Sequence, residues 1–189
     1  MATADARSIL HVPAKLCHSP TDLSAAFPHG TGTAMGAVAR MVFKPNVVTS
    51  EVIGEEFGGV TRDVIYCGEN AVFACYLRGW DNDVLQKLFP NTSAGASSGN
   101  RYVRFEPGVS GQNRPGMTLS DLAVKLFVSP DSPDHHPGLL IYSAIPMLEE
   151  AAELAFRSPA ELGFPAVFRC VPDSTGRVYS MGWRKDLSL

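Results

Sequence analysis

A run with a two-residue period constrains the fold of this chain more than any other feature. Between Val60 and Trp80 the sequence reads VTRDVIYCGENAVFACYLRGW, in which β-branched and aromatic residues recur at alternate positions. Such alternation is typical of β-strands. The interruption CGEN contains Gly68 and Asn70, two residue types that accept a positive φ. The sequence therefore predicts a β-hairpin with its turn at residues 67–70.

The second half of this run is apolar on both faces. One face of AVFACYLRGW carries Ala71, Phe73, Cys75 and Leu77, and the other carries Val72, Ala74, Tyr76 and Arg78. A strand with two apolar faces must be covered on both sides. In a domain of this size one cover is the core, and the other is a helix or a neighbouring subunit. The pattern therefore indicates assembly.

Several more strands and one helix are predicted along the chain. Strand patterns occupy residues 36–43, 47–53, 101–108, 122–128, 139–145, 164–171 and 177–183. Residues 44–46 are predicted to be a turn. Residues 172–176, PDSTG, are predicted to join the last two strands as a hairpin, with Gly176 in the left-handed position.

A short helix is expected after Asp81, a suitable N-cap, with Pro90 as its end. Its apolar side would carry Val84, Leu85 and Leu88. Residues 147–158 fit a helix or a strand, and local propensity does not decide between them. The sum is a mainly β fold, an antiparallel sandwich or barrel with one short flanking helix.

The organised pattern begins near residue 35. Residues 1–34 contain three prolines and the run PHGTGT, which predicts an arm and loops, and residues 35–189 fit a single domain. The first residues lack the apolar core of a signal peptide, and no stretch approaches 18 apolar residues. We therefore expect a soluble protein that is not secreted by that route.

Charge and cysteine usage exclude several functional classes. The chain has 16 basic and 19 acidic residues, so its formal net charge is −3. It has no stripe of basic residues of the kind that binds the phosphates of nucleic acid. Cys17, Cys67, Cys75 and Cys170 include no CxxC pair, which argues against a zinc knuckle or a redox motif. They are expected to be reduced thiols that serve as small apolar side chains.

No motif predicts catalysis. Glu55 and Glu56 are adjacent, so in extended backbone they point to opposite faces and do not form an acid–base pair. The chain has no G-x-S-x-G elbow, and the run GTGTAMG lacks the lysine of a phosphate loop. We expect no enzyme activity, no catalytic residue and no cofactor.

One loop invites a metal-site interpretation. DSPDHHPG places Asp131, Asp134, His135 and His136 together, but adjacent histidines point apart in an extended loop. We expect an exposed polar loop without a metal. The alternative left open is a small β-barrel enzyme or ligand-binding module that uses His135 and His136.

The order of motifs resembles that of the tail tube proteins of tailed bacteriophages. The stretch TSEVIGEEFGGVTRDVIYCGENAVFACYLRGWD, a helix ending at LFP, and then LLIYSAIP and FPAVFRCVPDSTGRVYSMG follow in that order within residues 35–183. The resemblance implies a β-sandwich or barrel subunit that forms hexameric rings. The rings would stack into a tube for DNA ejection, located in the virion after assembly in the bacterial cytoplasm.

The resemblance also implies partners. These are other copies of the chain and further tail proteins, namely the tape measure, the terminator and, in contractile tails, the sheath. DNA would pass without specific binding, because an acidic or neutral bore repels phosphates. Terminator, neck or adaptor, baseplate and decoration proteins of the virion are the alternatives.

Candidate interface residues follow from the same resemblance. Residues 44–59 are interpreted as a loop between subunits or rings, and residues 91–100 as a second contact segment. The candidates in the first loop are Lys44, Asn46, Glu51, Glu55, Glu56 and Phe57.

Overall fold

The protein is mainly antiparallel β-structure with one short helix, which confirms the predicted fold class. The computed structural model describes residues 13–54, 58–78, 82–88, 92–94, 103–105, 118, 122–131, 136–147 and 164–189. The strands are β1 (Ala14–His18), β2 (Thr33–Ala34), β3 (Val38–Gly54), β4 (Val60–Leu77), β5 (Thr92–Ala94), β6 (Val103–Phe105), β7 (Val124–Pro130), β8 (Gly138–Met147), β9 (Phe164–Cys170) and β10 (Tyr179–Gly182). The helix is α1 (Asn82–Leu88), and a 3-10 turn spans Arg184–Asp186.

Eight strands form one sheet in the order β2-β1-β7-β8-β9-β4-β3, with β10 paired to β8. All of these pairings are antiparallel. Strands β5 and β6 pair with each other separately. Across the described residues the sheet is not closed, because β2 and β3 form its two edges.

Residues 13–34 are less irregular than the sequence suggested. β1 lies between β2 and β7, and its Leu16 and Cys17 are fully buried. This strand has only five residues and lies among prolines and glycines, so the sequence shows no clear two-residue period there. Pairing with β7, more than 100 positions along the chain, places it in the sheet.

Strands β3 and β4 form one long hairpin, and two predicted turns are wrong. Residues 44–46 lie within β3, where Pro45 faces Ala71. Proline is tolerated there because β3 is an edge strand. Residues 67–70 lie within β4, where Gly68 has a φ of 138° at a register shift. A β-bulge therefore occupies the position that the pattern suggested for a turn.

The predicted pairing of the last two strands is also wrong. β9 and β10 both lie along the same edge of β8, with Cys170 opposite Ala144 and Tyr179 opposite Ile141. They follow one another end to end, because residues 171–178 leave the sheet and return to it.

The turn at residues 171–178 has the predicted local conformation. Gly176 has a φ of 84°, in the left-handed region. The Asp173 carboxylate accepts hydrogen bonds from the backbone N–H groups of Thr175 and Arg177, and it pairs with the Arg177 guanidinium at 2.9 Å. Turn chemistry is local and readable from the sequence, whereas the choice of β8 as the partner strand is not.

Two apolar clusters lie on opposite faces of the sheet, since neighbouring residues of a strand point to opposite sides. The larger cluster includes Phe73, Leu126, Ile141 and Phe168, and Val84, Leu85 and Leu88 of α1 belong to it. This confirms the predicted helix and its buried side. The smaller cluster contains Cys17, Leu23, Phe127, Leu140 and Tyr142, with Phe27, Leu187 and Leu189 packed against it.

A buried histidine lies in the segment that covers the smaller cluster. His29 is 1% exposed, and its ring packs edge-on against Phe27 and Phe127. Its Nδ1 is 3.1 Å from the Ala25 carbonyl oxygen, while its buried Nε2 has no hydrogen-bond partner. The site therefore suits a neutral ring, because a charged imidazole would be desolvated with one N–H unpaired.

This burial predicts that the protein loses stability in mild acid. Desolvation holds the pKa of His29 below its ordinary value of 6.5; the Arg184 charge also lowers it, whereas the hydrogen bond to the Ala25 carbonyl and the Asp22 charge act in the opposite direction. The unfolded chain thus takes up a proton at a higher pH than the folded chain. The contribution is full above pH 6.5 and is lost as the pH falls below it. Urea unfolding at several pH values should show this slope.

The variant His29→Asn is the comparison, because asparagine accepts the φ of 65° found at this position. Its stability should depend less on pH across the same range. Equal slopes for the two proteins would contradict the assignment.

A second prediction concerns the larger cluster. Phe168 is fully buried, and its ring centroid is 6.1 Å from that of Phe73. Phe168→Ala should lower the free energy of unfolding by about 3–5 kcal/mol. Met181→Ala, at a position that is 52% exposed, should change it by no more than about 0.5 kcal/mol. Thermal and urea unfolding measure both.

Candidate assembly surface

The β3–β4 hairpin extends beyond the body of the sheet. β9 pairs with β4 from Leu77 to Ala71 and ends there at Cys170. Past that point the two strands pair only with each other among the described residues. Residues 46–54 and 60–70 thus form a two-stranded ribbon, the hairpin arm, about 30 Å long at roughly 3.3 Å per residue.

The hairpin arm exposes large apolar side chains on both faces. Residues opposite each other in the register share a face, and successive residues alternate. One face carries Val47, Ile53, Val64 and Tyr66, and the other carries Val48, Val52, Val60 and Ile65. These eight side chains are between 39% and 62% exposed. A two-stranded ribbon is marginally stable alone in water, and a large exposed apolar patch marks an interaction site.

The root of the arm, residues 44–46 and 69–72, is bound to the body of the sheet. Tyr179 donates a hydrogen bond to the Glu69 carboxylate at 2.8 Å, and its ring packs edge-on against Phe43. The hydrogen bond to Glu69 raises the pKa of Tyr179. At the same level the Asn46 amide donates to Asn70 at 3.1 Å. These contacts set the direction in which the arm leaves the sheet.

An open cavity of about 440 Å³ adjoins this root, between the arm and the turn at residues 171–178. Its lining is Tyr66, Glu69, Pro172, Gly176, Val178 and Tyr179. Two of its three polar side chains, those of Glu69 and Tyr179, bind each other. This hydrogen bond joins β10 to the arm and holds the arm in place relative to the body of the sheet.

Three of the six predicted interface residues, Lys44, Asn46 and Glu51, lie on a strand and not in a loop. Lys44 is exposed at the root, opposite Val72. Asn46 and Glu51 lie in the arm, where the Glu51 carboxylate accepts a hydrogen bond from the Thr61 hydroxyl at 2.9 Å. The structure therefore places these three along one edge strand. Glu55, Glu56 and Phe57 lie outside the described residues, as does the segment 91–100 except for the three residues of β5.

Within the described residues of the arm, sequence reasoning selected the polar Asn46 and Glu51 and missed the exposed apolar residues. The signal was present in VVTSEVI and VTRDVIY, where apolar residues fall at both odd and even positions. Periodicity shows that both faces are apolar, but it does not show which part of a strand has neighbours. The end of β9 at Cys170 leaves the edge of β4 without a neighbouring strand, and the exposed side chains show that both faces of the arm are open.

The residues of the alternative metal site are not brought together. Asp131 forms an ion pair with Lys15 at 3.2 Å, and Asp134 and His135 lie outside the described residues. Within the described ranges, histidine, cysteine, aspartate and glutamate nowhere gather in a group of three or more that could hold a metal ion. No helix in the described part of the chain has the length and apolarity needed to cross a membrane.

The comparisons with known proteins assign no family. No protein-family profile matches the chain, and no curated protein sequence matches it.

One cysteine provides a chemical reporter of the arm. Cys67 lies in the arm and is exposed, whereas Cys17, Cys75 and Cys170 are buried. Desolvation raises the pKa of these three thiols to about 11, 12 and 11 respectively. Since the thiolate is the reactive form, a maleimide should modify the unassembled native chain once, at Cys67.

Intact-protein mass spectrometry measures the number of adducts, and peptide mapping locates them. The denatured chain should take four labels, and native Cys67→Ser should take none. Rapid native labelling of Cys75 or Cys170 would contradict the packing described above.

Proposed function

We propose that this chain is a structural, self-assembling virion protein that forms the tail tube of a phage. In this proposal the chain associates into hexameric rings, and the stacked rings form the conduit for DNA. The observation that carries self-assembly is the hairpin arm, whose two apolar faces are both exposed. The order of motifs along the chain supports the tail tube in particular.

The energetics of the arm favour association. Covering apolar surface releases about 25 cal/mol per Å², so eight half-exposed side chains provide a substantial driving force. A partner must lie against both faces to cover them all. A subunit placed between neighbours in a ring or stack meets this requirement.

The hydrogen bonds between polar side chains near the arm are consistent with a structural role. Two pairs of polar side chains at the arm bind each other, Glu69 with Tyr179 and Glu51 with Thr61. Such pairs stabilise a shape and leave few groups directed toward a substrate. Interaction with other copies is therefore the function that the geometry supports best.

Substitutions in the arm test this function. In Val47→Thr/Val64→Thr/Ile65→Thr each change replaces exposed apolar surface but keeps a β-branched side chain. Each substitution should cost roughly 1 kcal/mol at a covered interface. The wild-type chain should form rings or tubes, and the concentration at its assembly midpoint should rise at least tenfold in the variant.

Light scattering after size-exclusion chromatography and negative-stain electron microscopy measure the assembly. Met181→Thr, which alters an exposed apolar residue outside the arm, should assemble like the wild type. A wild-type chain that stays monomeric at every concentration would refute the proposal. Rings that never stack would instead fit a terminator or adaptor.

A further inference from the structure

A second exposed surface lies on the body of the sheet, on the face opposite α1. It contains Arg40, Val42, Lys44, Val72, Tyr76 and Arg169, and we call it the basic apolar face. Val42, Val72 and Tyr76 are 44%, 36% and 40% exposed. The smaller cluster with its covering segment occupies this side of the sheet only at β1, β7 and β8.

The cations of this face surround its apolar residues. Lys44 and Arg169 are the two cross-strand neighbours of Val72, one on β3 and the other on β9. The Arg40 guanidinium lies 5.8 Å from the centre of the Tyr76 ring. The strand segments that build the face, residues 38–45, 71–77 and 164–170, contain no aspartate or glutamate. The face thus combines an apolar centre with three uncompensated positive charges along its own strands.

The hairpin arm has the opposite charge. Its residues 46–54 and 60–70 contain Glu51, Asp63 and Glu69 and a single cation, Arg62, for a formal net charge of −2. Glu51 and Asp63 are exposed on the ribbon, Glu51 on the face of Val64 and Asp63 on the face of Val52, so each face of the arm presents an acidic side chain. The arm and the basic apolar face are therefore complementary in both respects that define a stable interface, apolar area and charge.

The arm cannot reach the basic apolar face of its own chain. Both surfaces belong to the same two strands, and β3 and β4 continue in register from the body into the arm. The arm would have to fold back through a half turn, which would break the pairing at its root. A second copy of the chain has no such restriction.

We propose that the hairpin arm of one copy docks on the basic apolar face of the next copy. Because the two surfaces differ, the contact is head-to-tail, and repetition with a rotation closes a ring. This proposal rests on self-assembly as the proposed function and specifies which surfaces meet.

Reciprocal charge reversal tests the docking. Glu51→Lys/Asp63→Lys makes the arm basic, and Lys44→Glu/Arg169→Glu makes the face acidic. Each variant alone presents like charges to its neighbours, so its assembly midpoint should rise at least tenfold. An equimolar mixture should recover assembly, because each arm then finds an oppositely charged face on the other variant. The chain with all four substitutions should recover it as well.

Controls separate this effect from misfolding and from a general change in charge. All four positions are exposed, and circular dichroism should show unchanged melting of each variant. Lys185→Glu and Asp186→Lys, exposed positions in the 3-10 turn, should assemble like the wild type. The wild-type midpoint should also rise with ionic strength, because salt screens the attraction.

A cross-linking experiment tests the head-to-tail geometry. A short bis-maleimide should join native Cys67 in one arm to Val72→Cys on the face of the next chain. The products should form a ladder that continues beyond the dimer, and the Cys67→Ser version should give none. Products that stop at the dimer would indicate a two-fold contact and would overturn the proposal.

The outcomes distinguish the docking from the function on which it rests. If the wild type never assembles, the proposed function fails. If it assembles but the mixed variants do not recover, the docking fails and the function stands. If Lys44→Glu/Arg169→Glu assembles normally but loses binding to a DNA oligonucleotide, the face contacts phosphates and the docking proposal is wrong.

Discussion

The apolar character of β4 on both faces is the constraint on which the rest of the structure depends. In residues 71–77 one face carries Phe73 and Leu77 into the larger cluster, over which α1 packs. The other face leaves Val72 and Tyr76 exposed. In the hairpin arm the described chain covers neither face. The strand is thus covered once along one half and not at all along the other, and its remaining apolar surface calls for a partner.

The edge strand of the hairpin is poorly suited to pairing with a strand of another molecule. Association through the apolar faces is therefore favoured over extension of the sheet. β3 is a 17-residue edge strand, and a long unpaired edge can add a strand from another molecule. Pro45 offers no N–H, Lys44 is charged, and the register shift beside Arg40 bends the strand. These features interrupt the hydrogen-bonding edge of β3 along the body of the sheet. The apolar faces on either side of the root carry no comparable obstacle.

The separation of charge between the hairpin arm and the body of the sheet matters more for association than the net charge of the chain does. A total of −3 suggests a weakly acidic protein, yet the arm is acidic and the adjoining strand segments are basic. These two regions lie end to end along β3 and β4, and the arm cannot fold back onto the basic apolar face of its own chain because the two strands continue in register. Opposite charges at the two ends of the same strands orient successive copies in one direction. Composition alone conceals this polarity.

The sequence by itself determined the elements whose causes are local. α1 lies where Val84, Leu85 and Leu88 have helical spacing, β7 and β8 lie where apolar residues alternate, and Gly176 has the predicted left-handed φ. It also indicated that β4 has two apolar faces. Periodicity, side-chain sterics and turn chemistry act within a few residues, so these features can be read from the chain.

Only the tertiary structure decided the features that depend on distant partners. The edge position of β3 lets Pro45 lie inside a strand, a bulge absorbs Gly68, and β8 takes both β9 and β10 as neighbours. The candidate site followed the same division: Asn46 and Glu51 were assigned to a loop, and the structure places both on a strand of the hairpin arm. That region projects as an arm because β9 ends at Cys170, and pairing between strand residues 87 to 99 positions apart along the chain sets that end.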